Sequence, residues 1–220
     1  MGARIDRSRR TKRTHIAAWL LIFVGLSLLG AWAWEVYGTN ALAQSRQQQA
    51  STDLRDAWRR GQDAVKVRGS KLTAFVQIPR INKRAVPLVE GTSEADLALG
   101  FAHFTGTAGP GQVGNFALAA HRITHGEPLR GMPSLRPGDQ VIVQTKQKRY
   151  TYVLDTPGDA LSVDFSAGWV IEPQPTNPQP RGVNPVGKKR LLTLTTCAEL
   201  FHTDQRLVAF GHLVKTEAVS

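Results

Sequence analysis

The chain has 220 residues, with 28 Lys and Arg against 17 Asp and Glu, for a net charge of +11 at pH 7. Its 41% hydrophobic content supports a packed core, and its single cysteine excludes an internal disulfide. The basic excess is densest before residue 15, and the rest is spread without the aromatic interleaving of a stacking platform. Nucleic acid is therefore not an expected partner, and an anionic membrane or wall surface is the better reading of the charge.

In chain order, residues 1–15 form a basic tail in which Arg4, Arg7, Arg9, Arg10, Lys12 and Arg13 stand against Asp6 alone. Residues 16–34 then run for nineteen positions without a charged side chain. A bilayer core takes ~20 apolar residues in helical form, and the basic flank would hold the N-terminus in the cytoplasm. Trp19 at one end and Trp32, Trp34 and Tyr37 at the other suit the two headgroup zones. A cleaved signal peptide is the competing reading, with Ala41-Leu-Ala43 as a small-x-small site, but signal cores run only about 7–15 residues. The expected organisation is a cytoplasmic tail (1–15), a transmembrane anchor (16–37), a polar linker or stalk (38–70) and an extracellular domain (71–220) of normal size for one core. The Ala, Gln and Arg content of the linker favours a helical stalk.

From residue 71 the pattern becomes short β-type runs punctuated by Gly and Pro. Residues 72–78 and 85–89 read as strands, the second an edge strand or a bend because of Pro87. Residues 94–99 read as a short helix capped by Thr92 or Ser93. A loop with four glycines (106–114) leads into a strand at 115–120 that ends at His121. Residues 132–135 read as one helical turn, and Pro137-Gly138-Asp139 as a turn. Residues 140–145 and 150–155 alternate as a hairpin. Residues 166–190 carry Pro173, Pro175, Pro178, Pro180 and Pro185, which implies a long loop. Strands at 191–195 and 206–214 close the chain. Many short strands with little helix make a small β-barrel or sandwich.

The chemistry centres on Cys197, the only thiol, at the end of the run Leu191-Leu-Thr-Leu-Thr-Thr-Cys197. A thiol needs a partner to act as a nucleophile at neutral pH. The domain offers His103, His121, His125, His202 and His212, of which His121 also emerges at a strand tip. Arg206 begins the last strand, where a guanidinium would favour a thiolate and hydrogen-bond a developing oxyanion. Zinc on His121, His125, Cys197 and His202 is disfavoured, because Gly126 and Pro128 break the helix that the His121/His125 spacing needs. Asp56-Ala-Trp58 in the linker has the acid and aromatic order of an active-site lid.

Taken together, Thr193-Leu-Thr-Thr-Cys197 followed by Arg206, with Asn115-Phe-Ala-Leu-Ala-Ala-His121-Arg122 upstream, resembles the sortase family over residues 71–214. The Thr-Leu-Thr-Thr-Cys form and the His-Arg-x-Thr-x-Gly-x-Pro element (121–128) look most like class E sortases of high-GC Gram-positive bacteria. The resemblance implies an eight-stranded β-barrel with short helices, preceded here by the transmembrane helix. It implies a transpeptidase that cleaves a C-terminal sorting signal between Thr and Gly and passes the acyl group to an amine of a peptidoglycan precursor. Cys197 would be the nucleophile, His121 the general acid and base, and Arg206 the oxyanion and substrate-backbone contact. Ala119 and Thr196 match positions that line the family's substrate groove. No cofactor and no metal are expected. The implied partners are surface proteins bearing a sorting signal and a cell-wall amine, with Leu-Ala-x-Thr-Gly or Leu-Pro-x-Thr-Gly left open. A pilin-polymerising sortase and a non-catalytic, anchored β-barrel binding module are the alternative readings.

Overall fold

The computed structural model describes residues 5–34, 39–122, 126–196 and 204–219. They form two units, 1–39 and 40–220. The first holds helix α1 (Ile5–Ala33), whose Leu20, Phe23, Leu26 and Leu29 are exposed. Among the described residues no helix is long and apolar enough to cross a membrane. The anchor expected at 16–37 therefore rests on the uncharged run in the sequence.

The second unit is built on β-strands of mixed apolar and β-branched composition: β1 (Val65–Val67), β2 (Ser70–Gln77), β3 (Val86–Glu90), β4 (Phe101–His103), β5 (Gly114–Ala120), β6 (Gln140–Gln144), β7 (Lys148–Leu154), β8 (Leu161–Asp164), β9 (Arg190–Thr196) and β10 (Gln205–Ala218). The sheet runs β2-β3-β4-β5-β9-β10-β7-β6, and β6 pairs back onto β2. Eight strands thus close a barrel that leaves no open edge within the ring. The two extra strands attach outside it, β1 on β2 and β8 on β10. All pairings are antiparallel except β3–β4 and β5–β9. The interior holds Phe101, Phe116, Tyr152, Leu118, Leu192 and Leu194, all buried. Strand β9 is central, so its residues 191–196 are buried on both faces and read as a continuous run rather than an alternation.

Three local features explain how the frame holds the site. Pro87 lies inside β3 yet one residue before the ladder to β4 begins at Leu88, so its missing N–H costs no bond on that side. Helix α3 (Glu94–Leu97) starts with a capping box, in which Ser93 Oγ accepts from the Asp96 N–H and Asp96 Oδ2 accepts from the Ser93 N–H at 3.0 Å. Asp96 also accepts from Ser70 Oγ at 2.5 Å, which ties the helix to β2. Burial alone would raise this carboxyl; the Ser70 and Ser93 donors outweigh it and hold the group below its ordinary value.

The segment expected as a stalk at 38–70 carries α2 (Thr39–Arg59) and β1, and both belong to the barrel unit. Ala43, Gln47, Ala50, Leu54 and Ala57 form the buried face of α2, with Ala50 and Leu54 against Leu72, Phe75 and Val89. Trp58 packs edge-on against Phe75 at 5.3 Å and donates from Nε1 to the Asp63 carbonyl at 3.2 Å. That aromatic is engaged on the barrel wall, which leaves the lid reading of Asp56-Ala-Trp58 without its ring.

Candidate active site

Strand β5 is apolar from Phe116 to Ala120 and delivers His121 just past its end, with the ring buried to 6% exposure. Beside it, β9 runs parallel, and the ladder pairs Ala119 with Thr195 and Ala120 with Thr196. On the other flank β10 runs antiparallel, pairing Val208 with Thr195. Thr196 Oγ1 accepts the backbone N–H of Leu207 at 3.1 Å, so the end of β9 is fastened to the residue that follows Arg206. Cys197 itself, with His125 and His202, lies outside the described residues.

Arg206 is the second residue of β10 and pairs opposite Val163 of β8. Its guanidinium lies over the Phe165 ring, 3.5 Å from the centroid. Phe165 is 62% exposed, and with Phe104, Val170, Ile171, Thr195 and Arg206 it lines a small pocket of about 50 Å³. One wall of this pocket is the start of the Pro-rich loop. It is held by Asn115, a buried side chain on β5 whose Nδ2 donates to the Val170 and Glu172 carbonyls, both at 3.0 Å. Asn115 Oδ1 in turn accepts from Thr193 Oγ1 at 2.8 Å.

Two further histidines of the barrel, His103 and His212, have structural partners. His103 Nδ1 is 2.9 Å from Glu90 Oε2, and its Nε2 lies 3.0 Å from the Ala108 carbonyl. The His103 hydrogen bond lowers the Glu90 carboxyl below its ordinary value against the opposing effect of burial. His212 Nδ1 pairs with Asp155 at 2.9 Å. His121 Nε2 lies 3.9 Å from Glu94 Oε2, a carboxylate 87% exposed on α3. Among the described residues no group of three His, Cys, Asp or Glu side chains could hold a metal.

Ala119 and Thr196, expected along a substrate groove, are 1% and 2% exposed. Ala119 packs with Leu97, Ala102 and Phe104, and Thr196 serves as the acceptor for Leu207. Both shape the strand ends from beneath rather than offering surface. Sequence reasoning missed Asn115, Phe165 and Glu94. Asn115 carried a signal, a carboxamide at the head of an otherwise apolar strand; Phe165 and Glu94 did not, because their positions depend on tertiary packing.

The described residues thus form a closed eight-stranded barrel with His121 just past the tip of β5 and Arg206 two strands away on β10. The chain belongs to the sortase family: residues 76–214 match the sortase domain. Sortases are cysteine transpeptidases. The chain is 30% identical over 204 residues to sortase SrtE1 of Streptomyces coelicolor, covering 89% of this chain and 56% of that protein. It thus spans little more than half the length of that relative. Sortase SrtE2 of the same organism is 27% identical over 216 residues, covering 91% of this chain and 81% of the relative. The structure of sortase E from Streptomyces avermitilis superposes with a TM-score of 0.56 at 36% identity, over 66% of this chain and 90% of the other. Sortase E1 from Streptomyces coelicolor, solved with a tripeptide in its active site, gives 0.56 at 32% identity, over 66% of this chain and 89% of the other.

Proposed function

We propose that this chain is a membrane-anchored sortase of the class E type. It cleaves a C-terminal signal of the Leu-Ala-x-Thr-Gly or Leu-Pro-x-Thr-Gly kind between Thr and Gly and transfers the acyl group to a cell-wall amine. The observation that supports the site is the meeting of two strand registers. The β5–β9 ladder, continued by one residue beyond Ala120 and Thr196, leads to His121 and position 197. The β9–β10 ladder, continued by two beyond Thr195 and Val208, leads to position 197 and Arg206. Successive Cα atoms are ~3.8 Å apart and paired strands ~4.8 Å apart, which supports reading His121, Cys197 and Arg206 as one site.

In the proposed reaction the Cys197 thiolate attacks the Thr carbonyl, and Arg206 donates to the oxyanion that forms. His121 protonates the departing Gly amine, leaving a thioester on Cys197. An incoming amine then attacks that carbonyl, and His121 takes its proton as the C–S bond breaks. The Phe165–Arg206 pocket is suited to the apolar part of the signal, and the Pro-rich loop forms its wall. Ala119 and Thr196 fix the backbone beneath this groove.

The uncharged run 16–34 and the six bases before it support an anchor with the N-terminus cytoplasmic and the barrel outside the cell. The test is cleavage of quenched Leu-Ala-x-Thr-Gly and Leu-Pro-x-Thr-Gly peptides by the full chain in detergent, with a glycine-based amine, beside Cys197→Ala. Cleavage at Thr–Gly with amine-ligated product, absent in the variant, is the expected result. No cleavage of either peptide by folded protein would contradict the proposal.

A further inference from the structure

A second groove opens on the barrel unit between α2 and the segment joining β2 to β3, with a cavity volume of about 710 Å³. It shares no lining residue with the Phe165–Arg206 pocket, so the reaction proposed above leaves it without a role. Its charge has one sign. Arg55 stands on the α2 wall and Lys83 and Arg84 on the opposite one, and no carboxylate is among the described lining residues. A concave surface of one sign focuses its field and concentrates ions of the opposite sign.

Neighbouring cations on the same two elements are neutralised, and these three are not. Arg59 of α2 pairs with Asp56, and Arg80 of the β2–β3 segment pairs with Asp139 at 3.3 Å. Arg55, Lys83 and Arg84 form no ion pair among the described residues. Lys83 and Arg84 are exposed, and the Arg55 guanidinium lies over the Phe75 ring, 4.9 Å from its centroid. The groove is not polar throughout. Half-buried Ile81, Ala85 and Val86 line it beside the cations. A small inorganic anion has no use for that apolar strip, whereas a phosphate carried on glycerol and the first carbons of its acyl chains matches both halves.

We propose that this groove binds the headgroup of an anionic glycerophospholipid. The phosphate meets Arg55, Lys83 and Arg84 through charge-assisted hydrogen bonds, and the glycerol and upper acyl carbons lie on the apolar strip. The choice of a membrane lipid rests on the anchor reading above; the anion site itself does not. Helix α2 starts at Thr39, and only four residues separate it from Trp34 at the end of the uncharged run. The chain therefore passes almost directly from the proposed span into the helix that forms one groove wall. Occupancy of the groove then holds the barrel unit against the bilayer surface.

Native mass spectrometry tests the site on the full chain, released from dodecyl maltoside micelles doped equally with phosphatidylglycerol and phosphatidylcholine. The groove variants are Lys83→Glu/Arg84→Glu on one wall and Arg55→Gln on the other, which keeps the test open if charge reversal disturbs folding. Lys148→Glu/Arg149→Glu on the β6–β7 hairpin controls for net charge. The basic tail before residue 15 is common to all these proteins, so the readout is the difference in bound lipid. Wild type and the hairpin control should retain phosphatidylglycerol in preference to phosphatidylcholine. Lys83→Glu/Arg84→Glu should retain one phosphatidylglycerol fewer, and Arg55→Gln should lower occupancy roughly five-fold, the loss of one cation at the surface. Equal retention of the two lipids, or groove variants that match wild type, would overturn the proposal. So would displacement by inorganic phosphate or soluble poly(glycerol phosphate) at equal concentration, which would assign the groove to a free or polymeric phosphate. Alkaline carbonate extraction from vesicles tests the anchor separately. A stripped chain would refute the span and with it the lipid source, while the difference between wild type and groove variants still decides the anion site.

Discussion

Asn115→Leu removes the side chain that holds the donor pocket's wall while keeping nearly the same volume. In the structure Asn115 makes three hydrogen bonds, two to the Val170 and Glu172 carbonyls and one from Thr193. At about 1 kcal/mol net per bond the loss is about 3 kcal/mol, and a carbonyl stranded in the interior adds to it. For a domain of this size that corresponds to a fall in Tm of roughly 6–12 °C. Thr193→Val removes one of these bonds and should cost about 1 kcal/mol, so the two substitutions together should cost less than their sum. Urea unfolding of the four proteins measures both quantities. The KM for the signal peptide should also rise in Asn115→Leu, because Val170 and Ile171 line the Arg206 pocket. An Asn115→Leu protein within about 0.5 kcal/mol of wild type, with an unchanged KM, would refute this role.

Other outcomes follow from the same geometry. Phe165→Ala should leave stability within about 1 kcal/mol of wild type, because the ring is exposed, while raising the signal-peptide KM through the loss of its contact with Arg206. Both Asp96 and Glu90 have lowered pKa values in the fold, so their stabilising contribution is complete above pH ~4.5 and is lost as pH falls further. Asp96→Asn should flatten part of that acid limb in a pH series of urea midpoints. Burial pushes the Tyr152 hydroxyl up to about 12, so the unfolded chain ionises first and stability should fall as pH rises from 10 toward 12. Tyr152→Phe should remove that alkaline slope, which thermal melts across the range would detect. Glu94→Gln should change turnover less than two-fold, since a 3.9 Å pair with so exposed a carboxylate contributes little.

Much of the barrel was legible because its strands carry strong local signals. The runs at 72–78, 115–120 and 191–195 became β2, β5 and β9 almost unchanged, and of the two cap candidates Thr92 and Ser93 the structure uses Ser93. Strands β1, β4 and β8 have three or four residues each, too few to show a period, and exist because a neighbouring strand pairs with them. Helix α2 was expected as a helix, yet its docking was not. Its contact face is mainly alanine at three- and four-residue spacing, with Gln47 and Ser51 among the buried residues, so no large apolar stripe announces it. The histidine and arginine tips were readable from strand ends. Asn115 stood out as a carboxamide at the head of an apolar strand, but its role did not show, because its partners are carbonyls 55 and 57 residues away.

The central claim is that acyl transfer passes through Cys197, and intact-mass analysis of a rapidly quenched reaction tests it most directly. The full chain mixed with signal peptide and no acceptor should gain the mass of the acyl fragment. Peptide mapping should place it on Cys197, and an added amine should discharge it. Cys197→Ala should show neither adduct nor cleavage. An adduct on another residue, or Thr–Gly cleavage that persists in Cys197→Ala, would contradict the claim.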